Sequence, residues 1–171
     1  MATTDFDWDG FRSLCTRLES LIVEQPADAA AFAADCRRTL AFLYAAGVSM
    51  PDAGDIFEDA GGDEFWAGAV KLNVADTDPA AAEDAISLLA ARLLESVREV
   101  QPDELEDDAR DEIVDAASRL WDVHTILAEG AALFDAKRGH EASWEWSFGF
   151  DDWGSSALLG MTALHDLLWG A

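Results

Sequence analysis

Positive charge and cysteine are what this chain has least of. Two lysines, Lys71 and Lys137, and nine arginines oppose 35 carboxylates, so the formal net charge is −24 over 171 residues. A field of that sign repels the phosphates of nucleic acids and of anionic membranes. Direct nucleic-acid binding would need a local cluster of cations, and only Arg37-Arg38 and Lys137-Arg138 are adjacent. The two cysteines, Cys15 and Cys36, read as buried small hydrophobes rather than a disulfide framework. No apolar run approaches the roughly 18 residues that a membrane-spanning helix requires, so no membrane association is expected. Residues 1–10 are acidic and hold no apolar stretch. The expectation is therefore a cytoplasmic protein without a secretory leader.

What is present is material for a core. Half of the residues are hydrophobic, with seven Trp and nine Phe. A chain of this length can bury roughly 70% of the surface its unfolded form exposes. No fixed-period repeat or low-complexity tract divides it, and residues 1–171 read as a single acidic helical domain.

The apolar residues recur at helical spacing. Trp8, Phe11, Leu14, Cys15, Leu18, Leu21 and Ile22 form a first stripe, capped by Asp5 or Asp7 and ending near Pro26. A second helix is predicted from about Pro26 to Ala46, with Phe32, Cys36, Leu40 and Leu43 on one face and Gly47 as its stop. Residues 49–62 read as a loop, and 63–74 as a short helix. Asp78-Pro79 is a strong helix start, followed by Ile86, Leu89, Leu93 and Val97. After an acidic connection, Ile113, Ala117, Leu120, His124, Leu127, Ala131 and Phe134 step by three and four. That helix has a weak point at Gly130 and is predicted to end at Gly139.

The last segment sends two signals. Trp144, Trp146, Phe148 and Phe150 alternate, as in a strand. Trp146, Phe150, Trp153, Ala157, Met161, Leu164 and Leu168 instead keep a helical seam too long for a strand. One helix from about Ala142 to Trp169 is predicted. The fold expected is thus all-α, a single-domain bundle of five or six helices with two long C-terminal ones.

Motifs of chemistry are scarce. Asp5, Asp7, Asp9 and Gly10 match the opening of a calcium loop, but Thr16 stands where the bidentate Glu belongs. The spacings of His124, His140 and His165 match neither a di-metal bundle nor a zinc site. There is no phosphate-binding glycine loop and no nucleophile elbow. No catalytic residue, metal or cofactor is assigned. The candidate binding residues are Trp144, Glu145, Trp146, Trp153, His124 and His165. The two histidines lie on apolar faces, and side-by-side packing of the last two helices would let them share a pocket with the tryptophans.

The run Trp144-Glu145-Trp146-Ser147-Phe148-Gly149-Phe150, then Trp153-Gly154, then Ala163-Leu164-His165, resembles the bacterial family called domain of unknown function 5063. The resemblance covers about 30 residues; Asp152 stands where the family pattern tends to have His. It implies a helical fold and no assigned activity, and it marks Trp144, Trp146, Trp153, Gly154 and His165 for testing.

Three functions compete. The first is a non-enzymatic interaction or regulatory module whose acidic surface docks a basic protein. The second is a small-molecule binder or enzyme with an aromatic and histidine pocket. The third is a nucleic-acid mimic that occupies a basic cleft. Burial of the aromatics between Trp144 and Trp153 separates a scaffold from an interface.

Overall fold

The computed structural model describes residues 6–61, 78–101 and 107–170. Four helices begin where an Asp carboxylate accepts from a free backbone N–H of the first turn. Helix α1 (Trp8–Val23) is capped by Asp7, whose carboxylate accepts from Gly10 N at 2.8 Å. Its buried stripe is Phe11, Cys15, Leu18 and Ile22. Helix α2 (Ala29–Val48) starts later than predicted, because Asp28 and not Pro26 sets its first turn; Asp28 accepts from Ala30 N at 3.0 Å.

Gly47 does not stop α2. It lies inside the helix and is buried. A Cβ there would lie 2.3 Å from the Phe150 ring and 2.5 Å from Trp153, so the missing side chain is what lets the aromatics approach. The segment expected to be a loop contains α3 (Ala53–Asp59), capped by Asp52 and anchored by buried Ile56. The helix predicted over 63–74 lies outside the described residues.

Helix α4 (Pro79–Val100) begins as predicted, with Asp78 accepting from Ala80 N at 3.1 Å and Pro79 in the first turn. Leu89, Leu93 and Val97 are buried along it, with Arg92 and Ser96. Helix α5 (Asp107–Asp135) carries the predicted stripe through Ile113, Ala117, Leu120 and Leu127. Gly130 is its contact point with the core: a Cβ there would lie 2.3 Å from Trp146 Nε1.

The stop of α5 comes before Gly139. Lys137 takes a left-handed conformation, φ 64°. Its N–H donates to Phe134 O at 2.9 Å, and the Arg138 N–H donates to Leu133 O at 3.0 Å. This paired closure satisfies the last carbonyls of the helix, and Gly139 opens the next helix instead.

The single C-terminal helix of the sequence reading is two helices, α6 (Gly139–Phe148) and α7 (Phe150–Trp169), divided at Gly149. The strand signal in Trp144–Phe150 is overridden, as the helical seam required. At the break, the Trp153 indole N–H donates to Trp146 O at 2.8 Å. A side chain thus satisfies a carbonyl near the end of α6.

The described residues form seven helices and no strand. This is the all-α bundle expected, with one helix more than the upper count. Helices α5 and α7 share the largest interface. Helix α2 packs on α7, α4 bridges α2 and α5, α1 lies on α2 and α5, and α6 packs on α5 with α3 beside it. No helix among the described residues is long and apolar enough to cross a membrane.

Candidate functional site

The six candidate residues separate into four environments. Trp146 and Trp153 are core residues, 1% and 0% exposed. The Trp146 indole N–H donates to Leu127 O at 3.1 Å. Its ring meets Phe11 edge-on at 5.0 Å and stacks near Trp8 at 6.0 Å. Both indoles have their polar handle satisfied by backbone, as buried Trp requires. They hold the α5–α6–α7 junction together and line none of the concavities described below.

Trp144 sits two residues away on the same helix and is only half-buried. It stacks on Phe148, one turn on, with centroids 4.6 Å apart and planes 11° apart. Phe148 is 67% exposed. Glu145 is half-buried on the same helix.

His165 is not among the residues lining the groove that holds His124. His124 is half-buried in a groove of about 180 Å³ between α1 and α5, with Arg12, Cys15, Glu19 and Asp135. His165 stands exposed on α7, 5.2 Å from the ring of Trp169, over which Arg37 is placed at 4.6 Å. Their helices do pack together, as the shared-pocket reading required. The side chains leave them in different directions, His124 toward α1 and His165 to solvent.

The lining of the α1–α5 groove includes a two-point ion pair. Arg12 Nε donates to Asp135 Oδ1 at 3.1 Å, and its terminal nitrogen to Oδ2 at 2.7 Å. That bonding raises the Arg12 pKa and lowers that of Asp135. Burial pushes the His124 imidazole pKa down, with the Glu19 carboxylate opposing it. Burial also pushes the Cys15 thiol up to about 12. A nucleophilic cysteine needs the thiolate, which burial disfavours at Cys15. Among the described residues no group of His, Cys, Asp and Glu is placed to hold a metal ion.

The largest of these concavities was not anticipated. It is a cleft of about 500 Å³ where α2 turns into α3 and α6 meets α7. Val48, Met50, Phe148 and Phe150 form its apolar side; Asp52 and Asp151 are its charged residues, and no cation among the described residues lines it. Val48 is 61% exposed. Ser147 also lines the cleft, and its hydroxyl oxygen is buried without a hydrogen-bond partner. A signal existed in the sequence. Val48 and Phe148 fall outside the apolar stripes of their own helices, so helical spacing alone sends them to the surface.

Comparison of the chain with family models, with curated proteins and with solved structures found no match.

Proposed function

We propose that the protein is a non-enzymatic interaction module whose α2–α3/α6–α7 cleft docks a basic segment of a partner protein. One observation carries the reading. An exposed apolar shelf, Phe148 with Val48, adjoins Asp52 and Asp151 in a cleft that no cation among the described residues lines. Large exposed apolar side chains beside unneutralised carboxylates suit a segment that pairs an aliphatic or aromatic side chain with Lys or Arg. The apolar contact supplies most of the affinity, since covering one such side chain is worth about 1.5–3 kcal/mol. The rim charges orient the partner and speed its approach.

Burial of Trp146 and Trp153 and the separation of His124 from His165 weigh against the aromatic and histidine pocket. The resemblance of the C-terminal motif to the family of unknown function is compatible with a binding role and assigns none.

The experiment is fluorescence anisotropy with a labelled helical peptide carrying Lys, Arg and one aromatic residue, against a control with Glu for each basic residue. The basic peptide should bind more tightly, and more weakly at high salt. Phe148→Ala should weaken it about tenfold, the equivalent of losing one good apolar contact. Attraction to the overall negative charge alone would survive Phe148→Ala unchanged, and that result would sink the assignment of the cleft.

A further inference from the structure

The groove between α1 and α5 is hollow because small residues line its middle. Cys15 comes from α1, and Ala128, Ala131 and Ala132 come from α5, with Leu18 and Leu127 beside them. Small side chains where two helices face each other leave space that longer ones would fill.

The charges around this hollow do not balance. Arg12 bonds Asp135 at two points and gives its other terminal nitrogen to Thr16 Oγ1 at 2.6 Å. The charges of Arg12 and Asp135 therefore cancel. Glu19 is the third charged residue of the lining, and among the described residues it enters no ion pair. About two turns of α1, roughly 10 Å, separate Arg12 from Glu19, and about three turns of α5, roughly 16 Å, separate Asp135 from His124. With Arg12 fixed on Asp135, α1 carries Glu19 toward His124. The Glu19 charge acts through space on the His124 imidazole, on Arg12 and on Cys15, so all four groups share one site. Burial lowers the His124 pKa, so at neutral pH the ring is uncharged and keeps an acceptor nitrogen. The volume, about 180 Å³, lies below the roughly 300–1,000 Å³ of sites for drug-sized ligands.

We infer that the α1–α5 groove binds a small primary ammonium, its charge held by Glu19, a second N–H donated to His124, and its short apolar body lying along Leu18, Leu127 and the alanines. An ammonium has three donors and no acceptor, which suits one unbalanced carboxylate beside one neutral acceptor. A carboxylate ligand would instead meet Glu19 and find Arg12 already bonded. The site shares no lining residue with the α2–α3/α6–α7 cleft and stands or falls independently of it.

The test uses three probes with the same branched tail: isoamylamine, isoamyl alcohol and isovalerate. Methyl NMR of the intact protein and calorimetry at neutral pH follow the titrations. Isoamylamine should shift the methyl signals of Leu18, Leu127, Ala128 and Ala131 saturably and bind about tenfold more tightly than the alcohol, with isovalerate weakest. Glu19→Gln, at an exposed position, should bring the amine down to the level of the alcohol. Glu95→Gln, an exposed carboxylate on α4, should leave it unchanged. Ala131→Leu, which fills the hollow, should block amine and alcohol alike. An equal loss in Glu95→Gln, or shifts spread over other methyl groups, would mean attraction to the overall negative charge and would overturn the inference. So would equal binding of the amine and the alcohol, or a lysine peptide that shifts these methyls where the free amine does not.

Discussion

Trp146 and Phe148 stand two residues apart on α6, yet one is 1% exposed and the other 67%. Two residues along a helix is about 200° of rotation, which is enough to move an aromatic from the centre of a core to open solvent. The buried face is satisfied in every respect: ring contacts with Phe11, Trp8 and Phe134, and an indole hydrogen bond to Leu127 O. The outer face keeps a Trp144–Phe148 stack beside a cleft with two carboxylates. Composition is shared by both faces, so composition alone separates packing from recognition nowhere in this segment.

The sharpest way to break that contrast is truncation on each face. Trp146→Ala should cost about 3–5 kcal/mol in urea unfolding, and Phe148→Ala no more than about 0.5 kcal/mol. Comparable losses would mean that the outer stack is structural. Gly130→Ala comes next. In an exposed helix interior it would gain about 1 kcal/mol. Here the added methyl meets Trp146, and a loss of about 1–3 kcal/mol is expected. A gain in denaturation midpoint would show that the Trp146 side of the junction yields.

The turn that launches α6 is tested by Lys137→Gly. Removing the side chain from a left-handed position should raise stability by about 1 kcal/mol, read as an increase in Tm. The smallest effect compares the histidines. Burial lowers the His124 pKa in the folded state, so near the ordinary value of about 6.5 the unfolded chain binds more protons. Its contribution is present above that pH and lost as pH falls through it. His124→Gln should therefore flatten the fall in stability between neutral and mildly acidic pH. His165→Gln, changing an exposed side chain, serves as the control; an identical flattening there would point away from the α1–α5 groove.

Much of the fold could be read from residues acting over one turn. Asp7 and Asp78-Pro79 announce their helices because a carboxylate reaches an N–H two or three residues on. The stripes from Phe11 to Ile22 and from Leu89 to Val97 are buried as spaced. The seam from Trp146 to Leu168 correctly outweighed the alternation that suggested a strand. The glycines and the candidate site were harder. Gly47 and Gly130 look like a stop and a weak point, but each is where another helix presses an aromatic ring onto the backbone. Gly139 looks like a terminator, while Lys137 closes the turn through hydrogen bonds back to Phe134 and Leu133.

The sequence by itself determined the helical class, the starts of α1 and α4, the dominant faces and the excess of carboxylates, because caps, periodicity and charge act locally or by composition. Only the tertiary structure decided that Trp146 and Trp153 are core, that His124 and His165 part company, and that the last helix breaks at Gly149. It also decided where concavities form, the cleft beside Phe148 and the groove between α1 and α5. Those features depend on which surfaces of distant segments meet, and spacing along one helix carries no record of the partner that will lie against it.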